Sequence, residues 1–167
     1  ADAITLDVVS RIQTLFEAPD AAVYLAATGT AANTLALACL CPPWATIYCS
    51  PVAHIQEDEC NAPEFFTGGA KLNLVGSDDK LTPAALEQAI LGTAQGDVHG
   101  PQRGPVSLTQ ITEKGRIYTL SELSELCAVA KAYDLPVHMD GARFANAIAA
   151  LGCSAAEMTW RCGIDAL

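Results

Sequence analysis

An aspartate and an arginine at the end of one apolar segment are the first residues whose types and spacing could do chemistry. Asp140 closes the segment PVHMD (136–140), and Arg143 follows it by three residues. The carboxylate could contact a cofactor, ligate a metal ion or cap the helix that follows. The guanidinium of Arg143 could pair with Asp140, or it could present its planar fork to the carboxylate of a ligand. The sequence alone leaves these alternatives open.

The turn Thr28-Gly29-Thr30 is a second candidate, and its chemistry would be phosphate binding. Glycine lets the backbone approach a ligand, while Thr30 and the first amides of the following helix could hold a phosphate. The turn lacks the G-x-G-x-x-G pattern and the P-loop lysine, which disfavours nucleotide binding. A threonine that only caps a helix explains the same residues equally directly.

The three histidines stand in different contexts. His54 precedes acidic residues at 57–59, but one histidine without a second set of ligands predicts no metal site. Its imidazole fits a position against a cofactor ring or in a surface loop. His138, inside PVHMD, is expected to be a hydrogen-bonded structural residue rather than a catalyst, and His99 is expected to be solvated.

These candidates depend on strands and helices that alternate along the chain. Apolar segments without alternation predict strands, and helical periodicity with strong helix formers predicts the helices between them. Thr82 and Ser121 are the expected N-caps of two helices. Such strands favour a three-layer α/β/α fold with a mainly parallel sheet, whose ligands gather at the carboxyl ends of the strands. The predicted strands are 21–27, 46–50, 71–75, 105–111 and 136–140, and the predicted helices are 4–17, 31–41, 84–91, 121–134, 142–151 and 154–161.

Composition limits the range of partners. The 167 residues carry a formal net charge of −10, which argues against nucleic acid and anionic membranes as partners. No apolar run reaches the length of a membrane span and no export signal is visible, so a cytoplasmic protein is expected. The seven cysteines form no C-x-x-C pair and are expected to be mainly buried free thiols.

Four motifs, in this order and at these separations, resemble the threonine aldolases. These are lyases of the beta-eliminating lyase superfamily that have the aspartate-aminotransferase-like fold and use pyridoxal 5′-phosphate (PLP). The similarity covers nearly the whole chain, and its most specific part is the last motif. The motifs are ATGTAANTLAL (27–37), AHIQEDECNAPEFFTGGAKL (53–72), SLTQITEKGRIYT (107–119) and VHMDGARFANA (137–147).

The resemblance implies a role for each candidate residue. Asp140 would bind the pyridinium nitrogen of PLP, and Gly29 and Thr30 would hold the cofactor phosphate. His54 would stack on the ring and help to move protons, and Arg143 would bind the carboxylate of the substrate. The implied catalytic residues are therefore His54, Asp140 and Arg143. The implied reaction is retro-aldol cleavage of a β-hydroxy-α-amino acid such as threonine to glycine and an aldehyde.

Some features of the family have no counterpart in residues 1–167. The resemblance implies that these residues form part of the PLP-binding large domain, without the amino-terminal segment, the small carboxyl-terminal domain and the lysine that binds PLP as a Schiff base. Residues 164–167 are expected to begin a strand, and the chain alone is expected to be inactive. Glu59 matches a family acid of less certain role, and Glu113 stands where some relatives have histidine.

Two other functions remain open from the sequence. One is a different PLP-dependent lyase or aminotransferase of the same fold, since these enzymes share an aspartate after a strand and a phosphate-binding turn. The other is a non-catalytic binding or assembly module. Because related enzymes complete their sites across a subunit interface, a homo-oligomer, either a dimer or a tetramer, is expected for the whole protein.

Overall fold

The computed structural model describes residues 2–167, in which helices and short strands alternate. The order in the chain is α1 (Ala3–Leu15), α2 (Gly29–Leu40), β1 (Thr46–Cys49), α3 (His54–Glu57), α4 (Ala62–Phe66), β2 (Lys71–Leu74), α5 (Pro83–Gly92), β3 (Val106–Thr109), α6 (Leu120–Ala132), β4 (Val137–Asp140), α7 (Phe144–Leu151) and α8 (Ala155–Met158).

The sheet has four strands in the order β2-β1-β3-β4, and every neighbouring pair is parallel. All residues of β1 and β4 are buried, as expected for strands of a parallel sheet that helices cover on both faces. The register between β3 and β4 sets Thr109 opposite Asp140. The parallel sheet predicted from the sequence is confirmed.

Helices cover the sheet on both faces, with a separate apolar cluster on each. Ile47 and Cys49 of β1 pack with Leu37 of α2 in one cluster. Tyr48, which points to the opposite face of β1, joins the larger cluster that includes Leu123 and Leu126 of α6. The arrangement is the expected three-layer α/β/α fold.

The structure places one helix cap differently from the prediction. Thr82 caps α5 as expected, accepting a hydrogen bond from the amide of Ala85 at 3.3 Å. Helix α6 is capped by Thr119 rather than by Ser121, because Thr119 and Glu122 form a reciprocal capping box.

The strand predicted at 21–27 is wrong. Residues 21–26 have no regular structure, and the side chain of Tyr24 is 87% exposed. An apolar run becomes a strand only where a neighbouring strand pairs with its backbone, and no described strand flanks this segment. The loop expected between β1 and β2 also differs, since it contains the short helices α3 and α4.

The last residues lie beside β4, as the strand expected at 164–167 requires. The backbone amide of Asp165 donates to Val137 O at 2.9 Å, and Ala166 O accepts from the amide of Met139 at 2.8 Å. Only one parallel bridge forms here, between His138 and Ala166. Within residues 2–167, no helix combines the length and apolar character that crossing a membrane requires.

Candidate active site

The parallel sheet brings the candidate residues to one edge, because the carboxyl ends of parallel strands point the same way. Asp140 is the last residue of β4, and His54 begins α3 shortly after β1. Helix α2 approaches the same edge, where it contacts β4. Residues distant in the sequence therefore meet around the carboxylate of Asp140.

Asp140 is buried, with 7% of its surface exposed, and both of its carboxylate oxygens accept hydrogen bonds. The backbone amide of Ala142 donates to Oδ1, and the side-chain amide of Asn33 donates to Oδ2, each at 3.0 Å. The first bond caps a turn rather than a helix, since α7 begins only at Phe144. Each oxygen retains a lone pair for a ligand.

Asn33 and Glu59 complete this buried cluster, and the sequence did not single out Asn33. The amide nitrogen of Asn33 also donates to Oε1 of Glu59 at 2.8 Å, so one NH₂ group joins two carboxyl groups. The signal available in the sequence was one amide side chain within the otherwise small and apolar helix 31–41.

Burial raises the pKa of Glu59, and the nearby charge of Asp140 raises it further. The hydrogen bond from Asn33 and the proximity of His54 act in the opposite direction. Within the described residues, Oε2 of Glu59 is buried without a hydrogen-bond partner. A carboxyl group in these surroundings favours its neutral form.

His54 lies at the partly exposed side of the same cluster. Its Nε2 is 3.8 Å from Oε1 of Glu59, and its Nδ1 is 3.6 Å from Oδ2 of Asp58. The structure thus places His54 near Asp140 through Glu59 and Asn33. The other histidines match their predictions: His138 is buried against Ser107 Oγ at 3.0 Å, and His99 is exposed.

The turn at residues 28–30 both caps α2 and leaves donors free. Thr28 Oγ1 accepts from the amide of Ala31 at 3.1 Å, so the helix-cap interpretation is correct. The amides of Gly29 and Thr30 have no intrahelical partner, as expected at the start of a helix. A Cβ atom at Gly29 would meet nothing within 4 Å, so the backbone there is open to a ligand.

Arg143 pairs with Glu113 and not with Asp140. Nη1 of Arg143 donates to Oε1 of Glu113 at 3.1 Å, and Nη2 donates to Oε2 at 3.0 Å, which is a bidentate arrangement. Glu113 lies beyond the end of β3, so this pair also belongs to the carboxyl edge. The arginine expected to bind a substrate carboxylate thus already binds a carboxylate of its own chain.

Two lysine ion pairs and two surface depressions lie away from the predicted site residues. Lys80 pairs with Glu122, and Lys114 lies 3.6 Å from Asp78, so neither ion pair involves a predicted site residue. Two shallow depressions lie along α1 and against Trp160, and neither contains a predicted site residue. Residues 2–167 contain no group of three side chains placed to hold a metal ion.

The donor set fits a ligand that has a phosphate at one end and a basic ring nitrogen at the other. Free amides at the start of α2 suit an anion, and the buried carboxylate of Asp140 suits a protonated nitrogen. Asn33, which donates to Asp140, is on the same helix as the free amides, so α2 links the two parts of the set.

The chain is similar in sequence and in fold to known proteins. The chain is 49% identical over 154 residues to the low specificity L-threonine aldolase of Pseudomonas aeruginosa, covering 92% of this chain and 44% of the relative. It is 46% identical over 167 residues to that of a Pseudomonas species, covering 99% and 47%. A structure of Leishmania major threonine aldolase superposes with a TM-score of 0.87 at 29% identity, covering 94% and 46%.

The chain spans less than half the length of these relatives. The family model described as beta-eliminating lyase matches residues 1–167. Because this match extends over the whole sequence, the chain belongs to the beta-eliminating lyase family.

Proposed function

We propose that this chain carries part of the active site of a PLP-dependent lyase. The reaction would cleave a β-hydroxy-α-amino acid, with threonine as the representative substrate, to glycine and an aldehyde. The observation that carries the proposal is the buried carboxylate of Asp140. Two N–H groups fix it at the carboxyl end of β4, and it forms no ion pair within the described residues. The names of the similar proteins agree with this substrate class.

The cofactor contacts follow from the donor set. Gly29 and Thr30 would hold the phosphate through the free amides at the start of α2, where the helix dipole favours an anion. Asp140 would accept a hydrogen bond from the ring nitrogen, and His54 would lie against the ring. When bound, PLP supplies a ring that accepts the electron pair released as the Cα–Cβ bond breaks.

Asp140 would act by electrostatics. A carboxylate beside a basic ring nitrogen favours the protonated nitrogen, which makes the ring a stronger electron acceptor. Burial strengthens this effect because little water screens the charge. The bonds from Ala142 and Asn33 hold the carboxylate in place, so little reorganisation accompanies the reaction.

Arg143 and His54 would act on the substrate. The bidentate pair of Arg143 with Glu113 supports a carboxylate-binding role, in which the substrate carboxylate would exchange with that of Glu113. The imidazole of His54, partly exposed at the side of the cluster, would accept or return a proton.

We further propose that residues 1–167 are part of the PLP-binding large domain of a homo-oligomeric cytoplasmic enzyme. The lysine that binds PLP would lie outside this sequence, because Lys80 and Lys114 are in ion pairs away from the site, and Lys71 at the start of β2 and Lys131 at the end of α6 lie at the opposite edge of the sheet from Asp140. The cytoplasmic assignment is supported by the cysteines, which are all free.

Product analysis tests the function. The full-length protein that contains this sequence is loaded with PLP and incubated with L-threonine, and glycine and acetaldehyde are measured separately from keto acid. Equimolar glycine and acetaldehyde are expected. The variant Asp140→Asn should lose this activity, while Asp20→Asn, an exposed carboxylate, should keep it. Formation of a keto acid with transfer of the amino group would instead identify an aminotransferase.

A further inference from the structure

We propose that Glu59 is a neutral positioning residue that, through Asn33, holds the carboxylate of Asp140 in place. This inference deepens the proposed function and rests on it for its catalytic meaning. The hydrogen-bonded arrangement itself does not depend on that function. It consists of one side-chain amide whose two N–H groups reach two buried carboxyl groups, at 2.8 Å and 3.0 Å.

The two carboxyl groups differ in how well a negative charge is supported. Asp140 accepts one hydrogen bond on each oxygen, from Ala142 and from Asn33. Glu59 accepts only on Oε1, and within residues 2–167 its buried Oε2 has no partner. A buried carboxylate oxygen without a hydrogen bond is strongly unfavourable, so the neutral form of Glu59 is favoured.

The charged groups that act on Glu59 lie on α3 and β4. His54 on α3 has Nε2 at 3.8 Å from Glu59, a distance beyond a hydrogen bond, and its Nδ1 faces Asp58. Arg143 follows β4 but directs its fork to Glu113. His138 on β4 is buried against Ser107. His54 thus opposes and Asp140 supports the neutral form of Glu59, while burial, the largest influence on its pKa, raises that pKa and favours the neutral form.

The neutral state of Glu59 would determine how much negative charge the site carries. Two ionised carboxylates joined by one amide would repel each other and would compete equally for the N–H groups of Asn33. With Glu59 neutral, its carbonyl oxygen still holds Asn33 in place, and the whole negative charge lies on Asp140. The ring nitrogen of the cofactor would then meet one fixed, fully charged oxygen partner.

Infrared spectroscopy tests the protonation state directly. The full-length protein, labelled with ¹³C at the glutamate side-chain carboxyl carbon, is measured near neutral pH with and without PLP. We expect a carbonyl stretch of a neutral carboxylic acid that disappears in Glu59→Gln. The matched control is Glu64→Gln, which removes the other glutamate with a buried unpaired Oε2 and should leave the Glu59 signal unchanged. The absence of a neutral-acid signal attributable to Glu59 would overturn the proposal.

Affinity for PLP provides the second measurement. Glutamine reproduces a neutral acid, so Glu59→Gln should retain the dissociation constant of PLP within about threefold, whereas Glu59→Ala should weaken binding about tenfold. Equal loss in both variants would show that the charge of Glu59 matters, and no loss in Glu59→Ala would show that Asn33 needs no anchor; either result contradicts the proposal. Circular dichroism checks that each variant is folded. Because the infrared signal needs neither cofactor nor substrate, failure of the aldolase assignment would not affect it.

Discussion

The side-chain amide of Asn33 donates a hydrogen bond to Oδ2 of Asp140 at 3.0 Å, although the two residues are 107 positions apart in the chain. The contact joins the first turns of α2 to the carboxyl end of β4, and both side chains are buried. It links the helix start proposed to hold a phosphate to the carboxylate proposed to hold a ring nitrogen. Its removal should therefore affect both stability and cofactor binding.

Replacing Asn33 with alanine should lower the free energy of unfolding by about 1–3 kcal/mol, because two buried carboxyl groups lose their shared donor. Urea denaturation of the full-length apoprotein measures this change. Asn146→Ala, an exposed amide on α7, is the matched control and should change stability little. Equal effects of the two substitutions would show that the buried network contributes nothing specific.

Glu113→Gln should lower the KM for L-threonine by up to about fivefold, because the fork of Arg143 loses a competing carboxylate. The gain is modest because both side chains are partly exposed and solvent screens their attraction. Steady-state kinetics of the full-length enzyme separates KM from kcat. A collapse of kcat with unchanged KM would instead assign Glu113 a direct part in the reaction.

The buried histidine His138 should make stability depend on pH. Burial lowers its pKa from 6.5 to about 4 in the folded chain, against the opposing influence of Asp140. Between these values the unfolded chain binds more protons, so stability falls as pH drops, by about 3 kcal/mol in total. Denaturation from pH 7 to pH 4 should show this slope, reduced in His138→Asn and retained in His99→Asn. Parallel curves for all three proteins would refute the assignment.

Gly104 should tolerate no side chain. A Cβ atom there would overlap the carbonyl oxygen of Thr46 on β1 and crowd the side chains of Ala45 and Cys41. Gly104→Ala should therefore cost about 1–3 kcal/mol of stability or more. Gly92→Ala, where a Cβ atom meets nothing within 4 Å, should be neutral or slightly stabilising. Thermal unfolding compares the two, and equal melting temperatures would contradict the close packing.

Local patterns in the sequence predicted those parts of the fold that depend on residues close together in the chain. Short, mainly apolar segments between helices identified the four strands, and Thr82 was recognised as a cap because its hydrogen bond spans only three residues. The cap at Thr119 was missed because Ser121 is an equally acceptable cap residue by type. Segment 21–27 was assigned wrongly because apolar character does not reveal whether a neighbouring strand is present.

The candidate site was only partly predictable for a similar reason. Asp140 and the turn at 28–30 are visible in the sequence because each stands at the junction of a strand or loop with a helix. The link between Glu59 and Asp140 depends on Asn33, and no local pattern shows which buried side chain an amide will meet. The choice of Glu113 over Asp140 as the partner of Arg143 likewise depends on the arrangement of β3 and β4.

The protonation state of the ring nitrogen in bound PLP is the decisive test of the role proposed for Asp140. The full-length protein is loaded with PLP labelled with ¹⁵N in the ring, and the nitrogen chemical shift is measured by NMR for the wild type and for Asp140→Asn. We predict a protonated nitrogen in the wild type and an unprotonated one in the variant. The same unprotonated shift in both proteins, or a protonated nitrogen that survives the loss of the carboxylate, would contradict the account.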